Sequence, residues 1–598
     1  MKGTILALLR QSGRFSRRHV AIPAKENIMQ AANGGEAAAR ALMELGVEFV
    51  FTLTGGHLNH IHQILEKSPV RLVDTRHEQA ATFMADAYAR MTGKPGVAML
   101  TAGPGFTNCI SPLQQAATNC TPLLVIAGAS GTDYRDKMDL QDAPQAAIAA
   151  PIVKAAYVCT QTERVAEYVE TAFRTTLSGR PGPVFLELPC DILGKAMPGG
   201  QCAWHRTVVE SRPVDQRGVE KTIALLREAE RPIVVAGSGA GYARAGEELR
   251  AFVEKCGIPV FTCNMGRGLV SDLHPLCFGL AGPHRPLTAK KAYAETDLAL
   301  ILGNRISLNH FFGAAYNKTA TLVQVDVVGE ELGRNRAIDL PVVSDVRAFL
   351  ELANSRLDAL GLSGVGPNGL GRRYAPWLEE LRAERRRCAE AMLPMQTSDA
   401  MPIHPQRLMQ EVDKFMDRDD DVVLADGGDT LTWAHIGRTV RTPYRLLDHG
   451  QYWCIGGGIA DAIAARLVYP ESRVMLVTGD GSFGFNFMEV TTALRKGLSM
   501  VIVVANDQSW GMIRHSQQLR LGYTLDSVTW LGPTPYDKMV EAAGGKGFFV
   551  QRPQDIRPAI EAAFASNTVA CVNVMVDPEV ISPASIALGQ LGAYKITD

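Results

Sequence analysis

The sequence predicts an α/β fold made of three consecutive domains, each with a mainly parallel sheet flanked by helices. Apolar runs of strand length recur along the chain and alternate with stretches that have the periodicity of amphipathic helices. The runs are apolar throughout, as in parallel strands that helices cover on both faces. The length of 598 residues also exceeds what one core accommodates, since single hydrophobic cores stop growing near about 300 residues.

The composition is that of a folded protein with no overall charge bias. Apolar residues make up 46% and charged residues 21% of the chain, and 61 basic against 62 acidic residues give a net charge of −1. This balance excludes a global basic field for nucleic acid, and no apolar run approaches the roughly 18 residues of a membrane span. The eleven cysteines form no CxxC pair, which indicates reduced thiols and a cytoplasmic protein. We therefore expect neither nucleic-acid nor membrane partners.

Residues 1–28 are predicted to be an N-terminal extension and are a candidate for disorder. The first 25 residues are basic, lack acidic side chains and include Ser12 and Ser16, a composition that resembles a mitochondrial transit peptide. The alternative is a plain upstream extension or a misassigned start, because Met29 stands just before the first helical pattern.

The first domain is predicted over residues 29–193. Residues 36–45 place Ala37, Ala41 and Leu45 on one face, as in a helix packed on a sheet. Residues 194–213 are rich in Pro and Gly and are predicted to be a linker. The predicted strands of this domain are 49–53, 71–75, 97–101, 123–127 and 184–188.

The central domain is predicted over residues 214–350 and the third domain over residues 401–578. Between them, residues 351–400 are predicted to be a linker that lacks pattern up to residue 372, followed by a charged helix. Residues 579–598 are expected to form a C-terminal tail or a lid. The predicted strands are 233–236, 260–262, 298–302 and 322–325 in the central domain and 422–424, 474–478, 500–505 and 572–576 in the third.

The strongest chemical signal lies after two neighbouring strands of the third domain. Gly479-Asp480-Gly481-Ser482 follows one strand and precedes a helix, so that backbone amides and a helix N-terminus can approach phosphate oxygens. The next strand ends at Asn506-Asp507, followed by Gln508-Ser509. Two carboxylates at the carboxyl ends of parallel strands form an oxygen site for Mg²⁺ that a diphosphate can complete. The alternatives are an ordinary tight turn and, for Asp507, a helix cap.

This spacing resembles the thiamine diphosphate-binding motif of the acetolactate synthase and pyruvate decarboxylase superfamily. Gly479-Asp480-Gly481 is followed by 25 residues and then Asp507, where the family commonly has the second residue of an Asn-Asn pair. A carboxylate in that place is an equally sound Mg²⁺ ligand. The resemblance implies that Asp480, Asp507 and the backbone carbonyl of Ser509 hold Mg²⁺. It also implies a cofactor site formed by Gly428, Asp429, Thr430, Gly479, Gly481, Ser482, Gly511 and Met512.

The resemblance extends to the first and third domains, which it identifies as pyrimidine-binding and diphosphate-binding. Residues 76–90 are similar to the stretch around the family's activating glutamate, which makes Glu78 the catalytic candidate. A buried carboxyl that hydrogen-bonds N1′ of the pyrimidine favours the imino form that activates the thiazolium ring. By position, Ile455, which precedes Gly456-Gly457-Gly458, is the apolar residue that bends the cofactor. The alternatives are an exposed helix-start glutamate and an ordinary core isoleucine.

The central domain resembles a nucleotide-binding fold. Residues 237–241 follow a strand and mimic a dinucleotide fingerprint, so that an NAD oxidoreductase is the rival class. The third Gly comes one residue early and no acidic residue follows the next strand, which argues against NAD. ADP or another nucleotide is an open alternative. FAD is not expected, because residues 303–313 lack the Arg-Phe-Asp-Asp-Arg segment of the FAD-binding synthases.

Residues 303–313 and 536–551 instead resemble 2-hydroxyacyl-CoA lyases and oxalyl-CoA decarboxylases. The expected reaction is reversible cleavage of a 2-hydroxyacyl-CoA to an aldehyde and formyl-CoA. An acetolactate synthase-like enzyme or a 2-oxoacid or oxalyl-CoA decarboxylase is the alternative, because residues 506–512 also resemble the synthases. The family further implies a homodimer or homotetramer. The candidate substrate contacts are His57, Gln141, His449 and Gln451.

Overall fold

The computed structural model describes residues 27–208, 212–282 and 286–589. Three parallel six-stranded sheets flanked by helices confirm the predicted fold class. Within those ranges, no helix combines the length and the apolar character that a bilayer crossing requires. Of the N-terminal extension predicted at residues 1–28, residues 1–26 lie outside the described residues.

The first domain contains a parallel sheet in the order β3-β2-β4-β5-β7-β6 and an antiparallel pair β1-β8. Strand β1 includes the last two residues of the predicted extension, and β8 lies in the predicted linker 194–213, so both segments belong to this domain. The strands are β1 Asn27–Gln30, β2 Phe49–Leu53, β3 Arg71–Asp74, β4 Gly96–Leu100, β5 Leu123–Ala129, β6 Ala156–Val158, β7 Val184–Pro189 and β8 Gln201–Trp204. The helices are α1 Gly34–Glu44, α2 Asn59–Leu65, α3 Glu78–Thr92, α4 Pro104–Thr107, α5 Ile110–Asn119, α6 Gln145–Ala149, α7 Val165–Leu177 and α8 Cys190–Gly194.

The central sheet has the order β11-β10-β9-β12-β13-β14. Its strands are β9 Pro232–Ala236, β10 Val260–Thr262, β11 Cys277–Leu280, β12 Leu298–Leu302, β13 Thr321–Asp326 and β14 Leu340–Val343. Its helices are α9 Gln216–Glu228, α10 Ser238–Tyr242, α11 Gly246–Cys256, α12 Leu287–Glu295, α13 Val346–Ala359 and α14 Leu370–Gln396.

The linker predicted at residues 354–372 is wrong at both of its ends. Helix α13 continues to Ala359 and α14 already begins at Leu370, which leaves only residues 360–369 between them. Leu357 extends the apolar face of α13 by a turn, and Tyr374 and Trp377 of α14 are buried in the central core. Both helices therefore belong to the central domain, because their apolar faces cover its sheet.

The third domain has a sheet in the order β16-β15-β17-β18-β20-β19. The strands are β15 Val422–Asp426, β16 Leu446–Leu447, β17 Val474–Gly479, β18 Met500–Asn506, β19 Lys546–Val550 and β20 Val569–Met575. The helices are α15 Pro405–Phe415, α16 Asp429–Gly437, α17 Gly458–Val468, α18 Asp480–Phe483, α19 Glu489–Arg495, α20 Gly511–Leu521, α21 Asp526–Thr529, α22 Tyr536–Ala542, α23 Ile556–Ala565 and α24 Pro583–Gly589. Within the C-terminal tail predicted at residues 579–598, Pro583–Gly589 form helix α24.

The first and third domains share one apolar core. Phe83 and Met84 of α3 and Ile459 and Ile463 of α17 are buried in the same cluster. Arg90 of α3 is also buried there, and its Nη1 lies 3.6 Å from Oδ2 of Asp86. The two domains therefore pack directly on each other, although the whole central domain separates them in the sequence.

Candidate active site

Three loops converge at the carboxyl ends of the adjacent strands β15, β17 and β18. They are so close that a Cβ atom at Gly481 would lie 2.6 Å from the ring of Trp510, and one at Gly428 would lie 2.8 Å from Cβ of Met512. A Cβ at Gly479 would lie 3.3 Å from Oγ1 of Thr430. Because only glycine avoids these contacts, the loops form a narrow backbone-lined cradle. Gly428, Thr430, Gly479, Gly481 and Met512, all predicted cofactor contacts, meet here.

The predicted metal ligands Asp480 and Asp507 face each other in this cradle. Burial, and then the negative charge of Asp507, raise the pKa of Asp480 well above its usual range, and burial also raises the pKa of Asp507. Oδ2 of Asp480 and Oγ of Ser509 are buried without a hydrogen-bond partner. Two adjacent carboxylates with an unpaired oxygen fit a divalent cation, which would supply the missing charge.

The protein supplies only part of a coordination shell at this site. Over the described ranges, no group of three or more His, Cys, Asp and Glu side chains is arranged to hold a metal ion. Oδ1 of Asp480 already accepts from the Gly481 amide at 2.9 Å, and Oδ1 of Asp507 accepts from the Ser509 amide at 3.0 Å. A cation here therefore needs backbone oxygen and oxygen from a bound anion to complete its ligands, as Mg²⁺ with a diphosphate does.

Asp429 lies beside the cradle, but its carboxylate binds the C-terminal segment. Oδ1 accepts from the hydroxyls of Ser582 and, at 2.7 Å, Ser585. Oδ2 lies 2.5 Å from Nδ1 of His515, whose Nε2 lies 2.8 Å from the carbonyl of Pro578. The sequence did not predict these partners, since nothing in its local pattern connects residues 582–585 with residue 429.

Glu78 begins helix α3, where the side chain of His77 caps the Gln79 amide. Its carboxylate is largely buried, and Nδ2 of Asn108 donates to Oε2 at 3.0 Å. A Cβ atom at Gly105 would lie 3.5 Å from Oε1 of Glu78 and 2.6 Å from Cγ2 of Thr101. Glu78 therefore lies in a tight pocket with Asn108 as a fixed partner, which the sequence did not predict.

Two predicted substrate residues lie on the same side of the first domain as Glu78. Nδ1 of His57 lies 3.1 Å from Oγ1 of Thr101, and this hydroxyl donates to Oε1 of Gln141 at 3.4 Å. Gln141 has a φ of 62°, in the left-handed region. His57, Thr101 and Gln141 thus form a polar chain next to the Glu78 pocket.

The other two predicted substrate residues lie elsewhere. His449 is 1% exposed, and its Nε2 donates to Oδ1 of Asp426 at 2.6 Å. Gln451 lines a cavity between the first and central domains. Neither shares a hydrogen bond with His57 or Gln141. Ile455 is partly exposed and precedes the glycines that begin α17.

The cavity between the first and central domains has a volume of about 700 Å³. Arg180 and Arg305 contribute positive charge to its wall, and both pair with Glu331. Nη1 of Arg305 also donates to the carbonyl of Thr118 at 2.7 Å, which joins the two domains. The central domain contributes the ends of its inner strands, with Ser238, Gly239, Gly303, Asn304 and Asp326.

The chain matches a known family in all three domains. Residues 32–150 match the family described as thiamine pyrophosphate enzyme, N-terminal TPP binding domain. Residues 219–352 match its central domain and residues 426–574 its C-terminal TPP binding domain. Thiamine pyrophosphate is another name for thiamine diphosphate.

Some of the similar proteins are named acetolactate synthases and others 2-hydroxyacyl-CoA lyases. A probable acetolactate synthase of Mycobacterium bovis is 33% identical over 558 residues, which cover 93% of this chain and 97% of the relative. A 2-hydroxyacyl-CoA lyase of Oryza sativa subsp. japonica is 30% identical over 572 residues, covering 91% and 96%. Human 2-hydroxyacyl-CoA lyase 2 is 31% identical over 572 residues, covering 88% and 86%. With its paired carboxylates and glycine cradle, the chain belongs to the thiamine diphosphate-dependent enzymes.

Proposed function

We propose that the protein is a thiamine diphosphate-dependent carbon–carbon lyase that cleaves a 2-hydroxyacyl-CoA thioester reversibly to an aldehyde and formyl-CoA. The carbon–carbon chemistry rests on one observation, the adjacent carboxylates of Asp480 and Asp507, with Oδ2 of Asp480 unpaired, inside a glycine-lined cradle. The lyase branch rests on residues 303–313 and 536–551 and agrees with the names of the rice and human relatives.

The cradle would bind the diphosphate end of the cofactor. Asp480, Asp507 and the carbonyl of Ser509 would hold Mg²⁺, and the amides of Gly479 and Ser482 would face phosphate oxygens. Gly481, whose amide donates to Asp480, would line the cradle without a side chain. Gly428, Thr430, Gly511 and Met512 would complete the wall. Thiamine diphosphate supplies a thiazolium ring that acts as an electron sink for carbon–carbon bond cleavage.

The first domain would supply the proton chemistry. Glu78 would hold a proton at N1′ of the pyrimidine ring, and the Asn108 amide keeps the carboxylate in one orientation. His57 and Gln141, joined through Thr101, would orient the hydroxyl and carbonyl of the substrate. A buried pocket around these groups excludes water, which would otherwise compete for the same proton positions.

The second candidate function is an acetolactate synthase-like transfer or the decarboxylation of a 2-oxoacid or oxalyl-CoA. It is favoured by the Mycobacterium relative at 33% identity and by residues 506–512. A product screen separates the candidates: the protein with thiamine diphosphate and Mg²⁺ is offered pyruvate, oxalyl-CoA and several 2-hydroxyacyl-CoA thioesters in parallel. We expect formyl-CoA and an aldehyde from a 2-hydroxyacyl-CoA. Acetolactate from pyruvate alone would overturn the lyase assignment.

We also propose that the cavity between the first and central domains binds ADP or another nucleotide other than FAD and NADH, with its phosphates near Arg180 and Arg305. Calorimetric titration with ADP, FAD and NADH tests this. Binding of ADP that is weakened in an Arg305→Gln variant supports the proposal, and tight binding of FAD or NADH instead would contradict it. Arg305 also joins the two domains, so the melting temperature of the variant must be measured together with its ADP affinity, to separate lost binding from lost stability.

The active unit is proposed to be a homodimer, or a tetramer of two such dimers. The family resemblance puts Glu78 of one subunit opposite Asp480 of another. Within one chain, no hydrogen bond or ion pair joins these two described residues. Mixing dissociated subunits of Glu78→Ala and Asp480→Ala should restore part of the activity, since one of the two sites in each mixed dimer is then intact. Absence of any recovery would contradict the shared site.

A further inference from the structure

A buried ion pair lies directly behind the cofactor cradle. His449 and Asp426 are each 1% exposed, and Nε2 of His449 donates to Oδ1 of Asp426 at 2.6 Å. Asp426 is the last residue of β15, immediately before the Gly427-Gly428 turn of the cradle. The sequence had suggested a substrate contact for His449, but a side chain with this burial and this partner does not face the substrate.

The carboxylate of Asp426 holds the backbone of a second loop. It accepts from the amide of Gly456 at 3.1 Å and from that of Gly458 at 2.8 Å, both through Oδ2. Ile455 directly precedes these two anchored amides. One side chain therefore joins the end of β15, which carries the cradle turn, to the loop that carries Ile455.

The same loop is fixed from its other side. Nδ2 of Asn486 donates to the carbonyl of Gly456 at 2.6 Å and lies 3.0 Å from Oε1 of Gln79, next to Glu78. Nδ2 of Asn119 donates to the carbonyl of His449 at 3.0 Å, which fixes the His449 backbone as well. The position of Ile455 is thus determined by contacts from both domains.

To accept these hydrogen bonds as an ionised carboxylate, the buried Asp426 needs a positively charged partner. Burial disfavours the ionised carboxylate, but the neighbouring His449 and the glycine amides hold the pKa of Asp426 below its usual value. Burial likewise opposes the charge on His449, yet Asp426 raises the pKa of His449 to about 9. Burial raises the pKa of the nearby Asp461 well above its usual range, and within the described part of the chain Asp461 forms no hydrogen bond with His449, although its charge also favours the protonated imidazole.

We propose that Asp426 and His449 are positioning residues that fix the position of Ile455 beneath the bound cofactor. This inference rests on the proposed placement of Ile455 against the bound thiamine diphosphate. Neither residue touches the reacting atoms. His449 keeps the carboxylate ionised and oriented, the carboxylate fixes Gly456 and Gly458, and these amides fix Ile455.

The test compares two properties of His449→Gln: affinity for thiamine diphosphate, from quenching of tryptophan fluorescence, and exchange of the cofactor C2 proton with D₂O. We expect affinity within about threefold of wild type, because the cradle is intact, and proton exchange slower by about tenfold or more. Ile455→Ala should slow exchange similarly, and the double variant should be no slower than the slower single variant, because both act through one contact.

Asp421→Asn is the matched control. Asp421 precedes the same strand at its opposite end, is buried, and forms an ion pair at 2.6 Å with the half-buried Arg473. It should lower the melting temperature and leave the exchange rate unchanged. If His449→Gln fails to fold, Asn119→Ala, which removes the contact to the His449 carbonyl, should still slow exchange measurably.

The outcomes separate this inference from the proposed function. A wild-type protein that neither binds thiamine diphosphate nor exchanges the C2 proton would overturn both. If wild type exchanges and the folded His449→Gln or Asn119→Ala variant exchanges within twofold of it, only the positioning role is overturned. Additive slowing in the double variant would likewise overturn it, since independent residues add.

Discussion

Ser585 of α24 donates its hydroxyl to Oδ1 of Asp429 at 2.7 Å, which ties the last described helix to the first residue of α16. Ser582 donates to the same oxygen. His515 of α20 lies between Asp429 and the carbonyl of Pro578. The C-terminal segment is therefore held beside the cradle by the carboxylate of Asp429, which the sequence suggests as a cofactor contact.

Removing the hydroxyls of Ser582 and Ser585 should release α24 from Asp429. In a Ser582→Ala/Ser585→Ala variant, Asp429 keeps only His515, while Arg514 still holds Pro578 and Glu579. We therefore expect faster proteolysis after residue 579 and a several-fold faster loss of bound thiamine diphosphate. Limited proteolysis and dilution-induced cofactor release measure the two effects. Ser566→Ala, which removes a hydroxyl bonded only to the nearby carbonyl of Ala563, is the control. Unchanged cofactor release would show that the segment is not a lid.

Glu78→Gln should abolish proton transfer while preserving the pocket. The glutamine oxygen can still accept from Asn108, but the side chain cannot hold the proton at N1′. We expect the exchange rate of the cofactor C2 proton to fall by about 10²–10⁴-fold, with thiamine diphosphate affinity within a few-fold of wild type. NMR after acid quench measures the exchange. Glu66→Gln, on the exposed end of α2, should behave as wild type; equal rates in both variants would remove Glu78 from its proposed role.

Asp507→Asn should separate charge repulsion from metal binding. Without a cation, the substitution relieves the repulsion that helps to raise the pKa of Asp480, so the cofactor-free protein should melt at the same temperature or higher. Mg²⁺ affinity should fall by only a few-fold in Asp507→Asn, because the amide oxygen is still a ligand, whereas Asp507→Ala, which removes the ligand, should lower it by about 100-fold or more. Trp510, which packs on Gly481, reports binding by fluorescence. The surface variant Glu541→Gln should change neither property, and wild-type Mg²⁺ affinity in Asp507→Ala would contradict the site.

The His449 ion pair should make stability depend on pH above neutrality. The pKa of His449 rises from 6.5 to about 9 on folding, so the folded protein keeps a proton that the unfolded chain releases. The stabilisation is therefore complete below pH 6.5 and is lost as the pH rises to about 9. At about 1.4 kcal/mol per pKa unit, the loss is on the order of 3 kcal/mol. Urea midpoints of wild type and His449→Gln should converge over this range; a constant difference would contradict a charged His449.

The long parallel strands were predictable because burial on both faces leaves continuous apolar runs. The predicted strand at 49–53 coincides with β2, and that at 500–505 is one residue shorter than β18. Short edge strands such as Leu446–Leu447 were missed, since two residues carry no pattern. The linker prediction failed at α13 because Gly361 and Gly364 dominate the local composition just after the helix.

Within the site, sequence could supply the residues that a spacing defines. Gly479-Asp480-Gly481 and Asp507 follow adjacent strands, so chain order alone brings them together. Side-chain contacts between separate segments of one domain could not be predicted in this way. Asn108 reaches Glu78 from the turn that follows α4, and His449 reaches Asp426 from a loop without regular structure. Such pairings depend on tertiary packing, which leaves no periodic trace in the sequence.

The packing of α3 against α17 also determines when the protein can finish folding. The ribosome adds about 5–20 residues per second, so α17 emerges roughly 20–80 s after α3. During that interval the central domain can fold on local contacts, while Phe83 and Met84 still lack the partners that bury them in the finished core. The nascent chain thus carries an uncovered apolar helix face through most of its synthesis, and aggregation competes with folding at that face.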